Sequence, residues 1–269
     1  GAWTEWYAPE SLDTVEQDGW QYITEPVVAN QATKVQYRVM SNGPVRAIRL
    51  IYIQASADSS WAGLRIFGRL FSSASAQEAL PIVSRSGWSA DESYRFYQDG
   101  SPVWPATYQQ PEKFVIHHTA GDDGGSNPAA TIRGIYYWHA VVLGWGDIGY
   151  NYIIDQQGNI YEGRAGGDGV VGAHVYRSAP CAAQRFGGAN KEMGFNSGTI
   201  GIAVLGDYET KLSSVNSAVQ NAVASLIARK GADFEIDPEG TGFFNDATYP
   251  NVIGHGDVDC TECPGKSLS

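Results

Sequence analysis

The chain has 269 residues, a formal net charge of −11 at pH 7 and 43% hydrophobic residues, which is enough for a core in one large or two smaller domains. The negative charge argues against a protein that binds nucleic acid through its phosphates, and no run of about 18 apolar residues is present to span a membrane. The opening GAWTEWYAPE lacks the basic start and apolar stretch of a signal peptide, so a cytosolic protein and a mature fragment of an exported one both remain open.

The first part of the chain, residues 1–80, has the pattern of a small β-rich region. Apolar and polar residues alternate at 35–39, which predicts a half-buried strand, and a turn signal follows at 41–44. Further strands are predicted at 48–53 and 64–71. This region carries no charged cluster or ligand set of its own, so we interpret it as a packing or spacer module rather than an independent active site.

From about residue 81 the pattern alternates between strands and helices. Apolar strands are predicted at 113–118, 150–155, 160–162, 199–205 and 252–253, the second and third of which form a hairpin. Helical spacing predicts helices at 129–143 and 215–229, the latter ending at Lys230-Gly231. This alternation is typical of a mixed sheet covered by helices, so residues 81–269 are predicted to form a second, α/β (or α+β) domain.

Histidines and a cysteine in distant stretches suggest a metal site. The strand FVIHHTAG ends on His117 and His118, which face opposite sides of a sheet, so only one of them can join a given metal. Near the C-terminus, GHGDVDCTECPG places His255 eight residues before Cys263, which lets the chain loop back around one ion. Two imidazoles and a thiolate suit zinc and leave an open position, as catalytic zinc sites do. Two carboxylates in this loop either support a ligand or are solvated charges: Asp257 and Asp259.

The three cysteines allow other interpretations. With Cys263 on the metal, Cys181 and Cys260 are either two thiols or a disulfide, and the disulfide implies an oxidising compartment. Cys260-Thr-Glu-Cys263 also has the spacing of a redox pair or of half a zinc knuckle. A knuckle would need a second pair, and a thioredoxin-like pair opens a helix early in its domain, whereas this pair comes last. Both of these interpretations are therefore disfavoured.

Several ordered motifs together resemble a known family. The stretches VSRSGW, FVIHHTAG, GWGDIGYNYIID, GNIYEGR, VVGAHV, GTIGIAVLGDY and GHGDVDCTECPG occur in this order between Ile82 and Gly265. They resemble the peptidoglycan recognition proteins, which belong to the zinc-dependent N-acetylmuramoyl-L-alanine amidases of type 2. The resemblance implies a central mixed β-sheet flanked by helices, with a groove over a zinc ion. It also implies a secreted or cell-wall-associated hydrolase whose partners are peptidoglycan and muropeptides.

The resemblance also implies roles for individual residues. Zinc (Zn²⁺) would be held by His117, His255 and Cys263, and Tyr150 and Thr261 would assist catalysis. Three further residues are implied to line the substrate groove: His118, His174 and Arg164. His139, on the predicted helix, is expected to have a structural role, with a hydrogen bond that holds the helix.

This chain also departs from the family pattern. Gly256 stands where an arginine is frequent, and Ala203 stands where some relatives carry a glutamate base. The connection between His174 and Thr199 is longer than usual and contains Cys181. Some members bind peptidoglycan without cutting it, typically because the cysteine ligand is replaced; here Cys263 is present, which favours catalysis over a recognition module. A closed structural zinc site would lack a fourth ligand.

Overall fold

The computed structural model describes residues 80–178, 181 and 193–268, and two short strands nearer the N-terminus. These strands, β1 (Ser11–Leu12) and β2 (Ile23–Thr24), pair antiparallel. The strands predicted at 35–39, 48–53 and 64–71 and the turn at 41–44 lie outside the described residues. The boundary near residue 80 therefore stays a prediction.

The main sheet has six strands and brings together the separate sequence motifs found from residue 82 onward. In chain order the remaining strands are β3 (Ile82–Val83), β4 (Lys113–His118), β5 (Tyr152–Ile154), β6 (Ile160–Glu162), β7 (Tyr176–Arg177), β8 (Met193–Gly194), β9 (Thr199–Val204), β10 (Thr241–Phe244), β11 (Ala247–Pro250) and β12 (Val252–Gly254). The six-stranded sheet has the order β12-β4-β9-β5-β6-β3, whereas β7–β8 and β10–β11 form separate two-stranded ribbons.

Neighbouring strands of the main sheet run parallel except for β5 and β6, which form the predicted hairpin. Every residue of β4, β5 and β9 is buried, as expected of strands covered on both faces. The predicted mixed sheet with flanking helices is thus confirmed.

Helices cover both faces of the sheet. Helix α1 (Pro128–Tyr137) continues into a π-helical turn, Trp138–Val142, and α2 spans Ser217–Phe234. Ile132 of α1 packs in one buried cluster with Ile153 of β5, whereas Leu226 of α2 packs in another with Ile116 of β4. No helix among the described residues has the length and apolar character needed to cross a bilayer.

The predicted end of α2 at Gly231 is wrong, because the helix continues to Phe234 and ends at Glu235, which has a left-handed φ of 59°. Gly231 instead lies against the segment that follows the helix and folds back over it at Ile236. Its carbonyl accepts a hydrogen bond of 2.8 Å from Ile236 N, and a Cβ at Gly231 would lie 2.7 Å from Ile236 O. The glycine therefore permits a close approach rather than capping the helix.

Candidate metal centre

Strand alternation separates the two adjacent histidines of β4. His117 pairs in register with Ala203, which in turn pairs with Ile153, so His117 lies on the face that α1 covers. His118 lies on the opposite face, where its Nδ1 accepts a hydrogen bond of 3.1 Å from Tyr208 N. Of the two histidines, only His117 belongs to the metal-compatible cluster found in the described part of the chain.

The second part of the centre is the loop that follows β12. Because β12 runs parallel to β4 and beside it, His255 emerges at the same sheet edge as His117. The backbone then turns back, and Gly256 N donates to Cys263 O over 2.6 Å. A Cβ at Gly256 would lie 3.0 Å from Cys263 O and 3.1 Å from Thr261 O. Because the backbone carbonyls of Cys263 and Thr261 approach so closely, a glycine fits at position 256, where the family pattern often has arginine.

The three side chains meet at distances that suit one metal ion. His117 Nδ1 lies 3.2 Å from His255 Nδ1 and 3.6 Å from Cys263 Sγ, and all three ligand atoms lie within 4.8 Å of one another. A tetrahedral zinc with bonds of about 2.0–2.1 Å to nitrogen and about 2.3 Å to sulfur separates its ligand atoms by about 3.3–3.6 Å. The donor set therefore fits zinc, and three protein ligands leave one position open.

Burial favours the neutral form of His117 and of His174 beside it. Loss of solvation, followed by the neighbouring His255, His174 and His118, lowers the pKa of His117 well below its ordinary value. Burial likewise lowers the pKa of His174 to about 3. Neutral imidazole is the form that ligates metals, so the environment favours coordination over protonation.

A disulfide joins Cys181 to Cys260, across 79 positions of sequence. It resolves the alternatives that the sequence left open, because Cys260 is bonded to Cys181 and cannot form a redox pair with Cys263. Cys260 lies between the two loop ligands, so the disulfide anchors the segment that carries His255 and Cys263.

Asp259 lies beside His255. Its Oδ2 is 3.3 Å from His255 Nε2, which is within ion-pair distance, although within the described part of the chain this nitrogen makes no hydrogen bond of good geometry. The proximity matches the usual arrangement, in which a metal-bound histidine directs its second nitrogen at a carboxylate. Asp257 contributes differently, because its Oδ2 accepts a hydrogen bond of 2.8 Å from Gly254 N at the start of the loop.

Comparison with known proteins identifies the family. The model of the family Amidase_2, N-acetylmuramoyl-L-alanine amidase, matches residues 107–266. The chain belongs to this family. It is 34% identical over 197 residues to peptidoglycan-recognition protein SC2 of Drosophila simulans, covering 72% of this chain and 86% of that protein. It is 30% identical over 212 residues to peptidoglycan recognition protein 1 of Bos taurus, covering 78% and 89%.

Solved structures of peptidoglycan recognition proteins share the fold. One is peptidoglycan recognition protein-LE in complex with tracheal cytotoxin, with a TM-score of 0.50 and 28% identity, covering 69% of this chain and 88% of that one. Another is bumblebee PGRP-SA, with a TM-score of 0.50 and 26% identity, covering 70% and 90%. The resemblance seen in the sequence motifs is thereby confirmed at the level of the family.

Within this amidase-family fold, the two residues expected to assist catalysis border the cluster. The ring of Tyr150 lies 5.4 Å from that of His117 and 5.5 Å from that of His139. Thr261 Oγ1 accepts a hydrogen bond of 3.2 Å from Cys263 N. His139 Nδ1 accepts from Gly149 N over 3.1 Å, in keeping with its expected structural role. The catalytic roles of Tyr150 and Thr261 stay predictions.

The three residues expected to line the groove are all buried: His118, His174 and Arg164. The Arg164 guanidinium stacks 3.3 Å from the centroid of the Trp104 ring and lies 3.4 Å from Asp147. Burial lowers the pKa of Arg164 to about 10. The groove roles stay predictions, but the structure shows that these side chains lie beneath the surface rather than on it.

Sequence reasoning missed a buried carboxylate and a shallow depression near the centre. Asp147 is 1% exposed and lies 3.0 Å from Arg85 and 3.4 Å from Arg95. The depression, of about 310 Å³, is lined by Val103, Trp104, Gly144, Trp145 and Ala173. The sequence offers one signal for it, a tryptophan directly before the GDIGYN stretch, and the structure shows that this residue, Trp145, is 37% exposed.

Proposed function

We propose that the protein hydrolyses the amide bond between N-acetylmuramic acid and L-alanine in peptidoglycan, with zinc held by His117, His255 and Cys263. One observation carries the proposal: an Amidase_2 chain brings a complete two-histidine, one-cysteine set together at the spacing of a tetrahedral site. A zinc ion with an open position acts as a Lewis acid for such hydrolysis.

The residues of the chain supply orientation and hydrogen bonds. His117 presents Nδ1 from a buried strand, while the short loop brings His255 and Cys263 to it. Water attacks the carbonyl carbon, the bond to the alanine nitrogen breaks, and a proton of the water passes to the leaving amine. Negative charge builds on the carbonyl oxygen during the attack, and the Tyr150 hydroxyl is the proposed donor to it. Thr261 Oγ1 accepts from Cys263 N, which leaves its hydroxyl hydrogen to serve as a second donor.

We further propose that peptidoglycan and muropeptides bind over the cluster and that the protein acts outside the cytoplasm, secreted or at a cell wall. A solved relative of this fold, peptidoglycan recognition protein-LE, is in complex with tracheal cytotoxin, a monomeric diaminopimelic acid-type peptidoglycan. The Cys181–Cys260 disulfide supports an oxidising compartment. Trp145, which lines the shallow depression, is connected to His117 by successive ring contacts through His139 and Tyr150.

The second candidate function is recognition without cleavage, which is favoured by the naming of the relatives as recognition proteins. A digest of purified peptidoglycan with zinc-loaded protein, followed by mass spectrometry, separates the two. Cleavage releases stem peptides with a free alanine amine and leaves the glycan chains intact, and a Cys263→Ser variant releases none. Binding to sacculi without any peptide release by the zinc-loaded protein would instead support recognition.

A further inference from the structure

A chain of hydrogen bonds runs from His117 through His174 to Thr199. His117 Nε2 lies 3.0 Å from His174 Nδ1, and His174 Nε2 lies 3.3 Å from Thr199 Oγ1. Thr199 Oγ1 in turn donates to main-chain carbonyls, 2.5 Å from Phe195 O and 3.2 Å from Asn196 O. All three side chains of this relay, His117, His174 and Thr199, are buried.

The direction of each hydrogen bond follows from the last member of the relay. A threonine hydroxyl has one hydrogen, and carbonyl oxygens can only accept, so Thr199 gives its hydrogen to the backbone. Toward His174 the hydroxyl oxygen must then accept, which places the ring hydrogen of His174 on Nε2. A neutral imidazole has one donor and one acceptor nitrogen, so Nδ1 of the buried His174 ring, which lies 3.0 Å from His117 Nε2, is left as the acceptor.

The same logic assigns the hydrogen of His117. Because His174 Nδ1 accepts, His117 donates from Nε2. The lone pair of His117 is therefore on Nδ1, the nitrogen that lies 3.2 Å from His255 Nδ1 and 3.6 Å from Cys263 Sγ. The relay thus leaves a lone pair, rather than a hydrogen, on His117 Nδ1, the nitrogen that faces the other two proposed ligands.

The His174 ring occupies a slot built for it. A Cβ at Gly201 would lie 2.5 Å from the ring Cδ2, and a Cβ at Gly172 would lie 2.8 Å from the same atom. On the backbone, His174 N and Val175 N both donate to Asn196 Oδ1, over 2.7 and 2.8 Å. Two glycines and a double hydrogen bond therefore fix both the position and the tilt of the ring.

We propose that His174 and Thr199 are positioning residues that hold His117 in the tautomer and orientation required for metal binding through Nδ1. The inference rests on the proposed metal site, and it assigns His174 to the support of a ligand rather than to contact with substrate. Hydrogen-bonding partners of metal-bound histidines typically contribute about 10–100-fold to metal affinity.

The first arm of the test measures zinc affinity by competition with a chromophoric chelator. Thr199→Val removes the acceptor with little change of shape, and His174→Phe fills the slot without ring nitrogens; each should weaken zinc binding by about 10–100-fold. Thr199→Ser should restore affinity to nearly that of the unchanged protein. The matched control is Thr131→Val, because Thr131 is a buried threonine that hydrogen-bonds Asp122 and has no contact with the relay.

The second arm records the tautomers directly by long-range ¹H–¹⁵N correlation of histidine side chains in the metal-free protein. His117 and His174 should both carry hydrogen on Nε2, and Thr199→Val should mix the tautomers of His174. Hydrogen on Nδ1 of His117 in the unchanged protein overturns the inference even if a variant fails to fold. Unchanged zinc affinity in folded Thr199→Val and His174→Phe also overturns it.

The two proposals fail in different ways. Zinc binding that depends on the relay, without peptidoglycan hydrolysis, contradicts the proposed function and supports the relay. If the protein hydrolyses peptidoglycan but its zinc affinity does not change in the Thr199 and His174 variants, the proposed function is supported and the relay is contradicted.

Discussion

The proposed ligands are held by two different kinds of support. His117 is the penultimate residue of a fully buried strand, and a relay of buried side chains fixes its ring from behind. His255 and Cys263 lie on a partly exposed loop that is held by the Gly256–Cys263 backbone hydrogen bond and by the disulfide at Cys260. The folded core therefore holds one proposed ligand, whereas a backbone hydrogen bond and a disulfide hold the loop that carries the other two, so the strand and the loop should respond differently to perturbation.

The largest expected effect comes from removing a ligand from either side. His117→Ala and Cys263→Ser should each abolish stoichiometric zinc binding and hydrolysis, because two protein ligands are too few for a stable site. Elemental analysis of the purified variants is the measurement. His118→Ala is the matched control on the same strand. It should retain zinc while destabilising the fold by about 1–3 kcal/mol, since Tyr208 N would lose its acceptor.

If His118→Ala loses zinc and His117→Ala keeps it, the face assigned to each histidine is incorrect. If His117→Ala and His118→Ala both keep zinc, strand β4 does not contribute a ligand.

A smaller effect is expected from Tyr150→Phe, which leaves both supports intact. The change removes the proposed donor to the developing oxyanion and no proposed zinc ligand, so kcat should fall on the order of a hundredfold while zinc content stays unchanged. Steady-state kinetics on a soluble muropeptide, with zinc measured on the same sample, gives both values. A kcat close to that of the unchanged protein would remove Tyr150 from the proposed mechanism.

Removing the disulfide tests the support of the loop that carries His255 and Cys263, without changing the support of His117. The double variant Cys181→Ser, Cys260→Ser should lower the free energy of unfolding by about 2–4 kcal/mol. Because Cys260 lies between the two loop ligands, hydrogen exchange should rise most at amides 256–263 and least at amides 114–118 of β4. Mass spectrometry of exchanged peptides gives the comparison, and equal acceleration in both segments would show that the disulfide does not act locally.

The sequence predicted the parts of this arrangement that depend on local pattern. Apolar runs and the β5–β6 turn residues identified the central strands, and the spacing of His255 and Cys263 suggested a shared ion. It did not predict where α2 ends, because the role of Gly231 depends on the return of Ile236 over the helix. It also missed the β10–β11 hairpin, whose turn contains Asn245 at a positive φ.

The support behind His117 could not be read from the sequence for a similar reason. His174 and Thr199 are 25 positions apart and are separated by the long connection that carries Cys181. Their contact exists only because β9 pairs with β4 and β5 and because Gly201 leaves space for a ring. Motif spacing can indicate ligands, but the hydrogen bonds that orient them depend on tertiary packing.

The smallest expected effect comes from removing the N-terminal region, and it tests whether the two supports are sufficient. Every proposed ligand and supporting residue lies between Lys113 and Pro264, and Leu80 packs against the buried cluster under α2. A chain that begins at Leu80 should therefore retain zinc and cleave soluble muropeptides at nearly the rate of the full chain, although its binding to whole sacculi can fall. The checks are zinc content, the circular dichroism spectrum and kcat on the same muropeptide. Loss of cleavage in a folded, zinc-loaded truncation would show that residues 1–79 complete the active site, and that the core and the loop do not support the reaction by themselves.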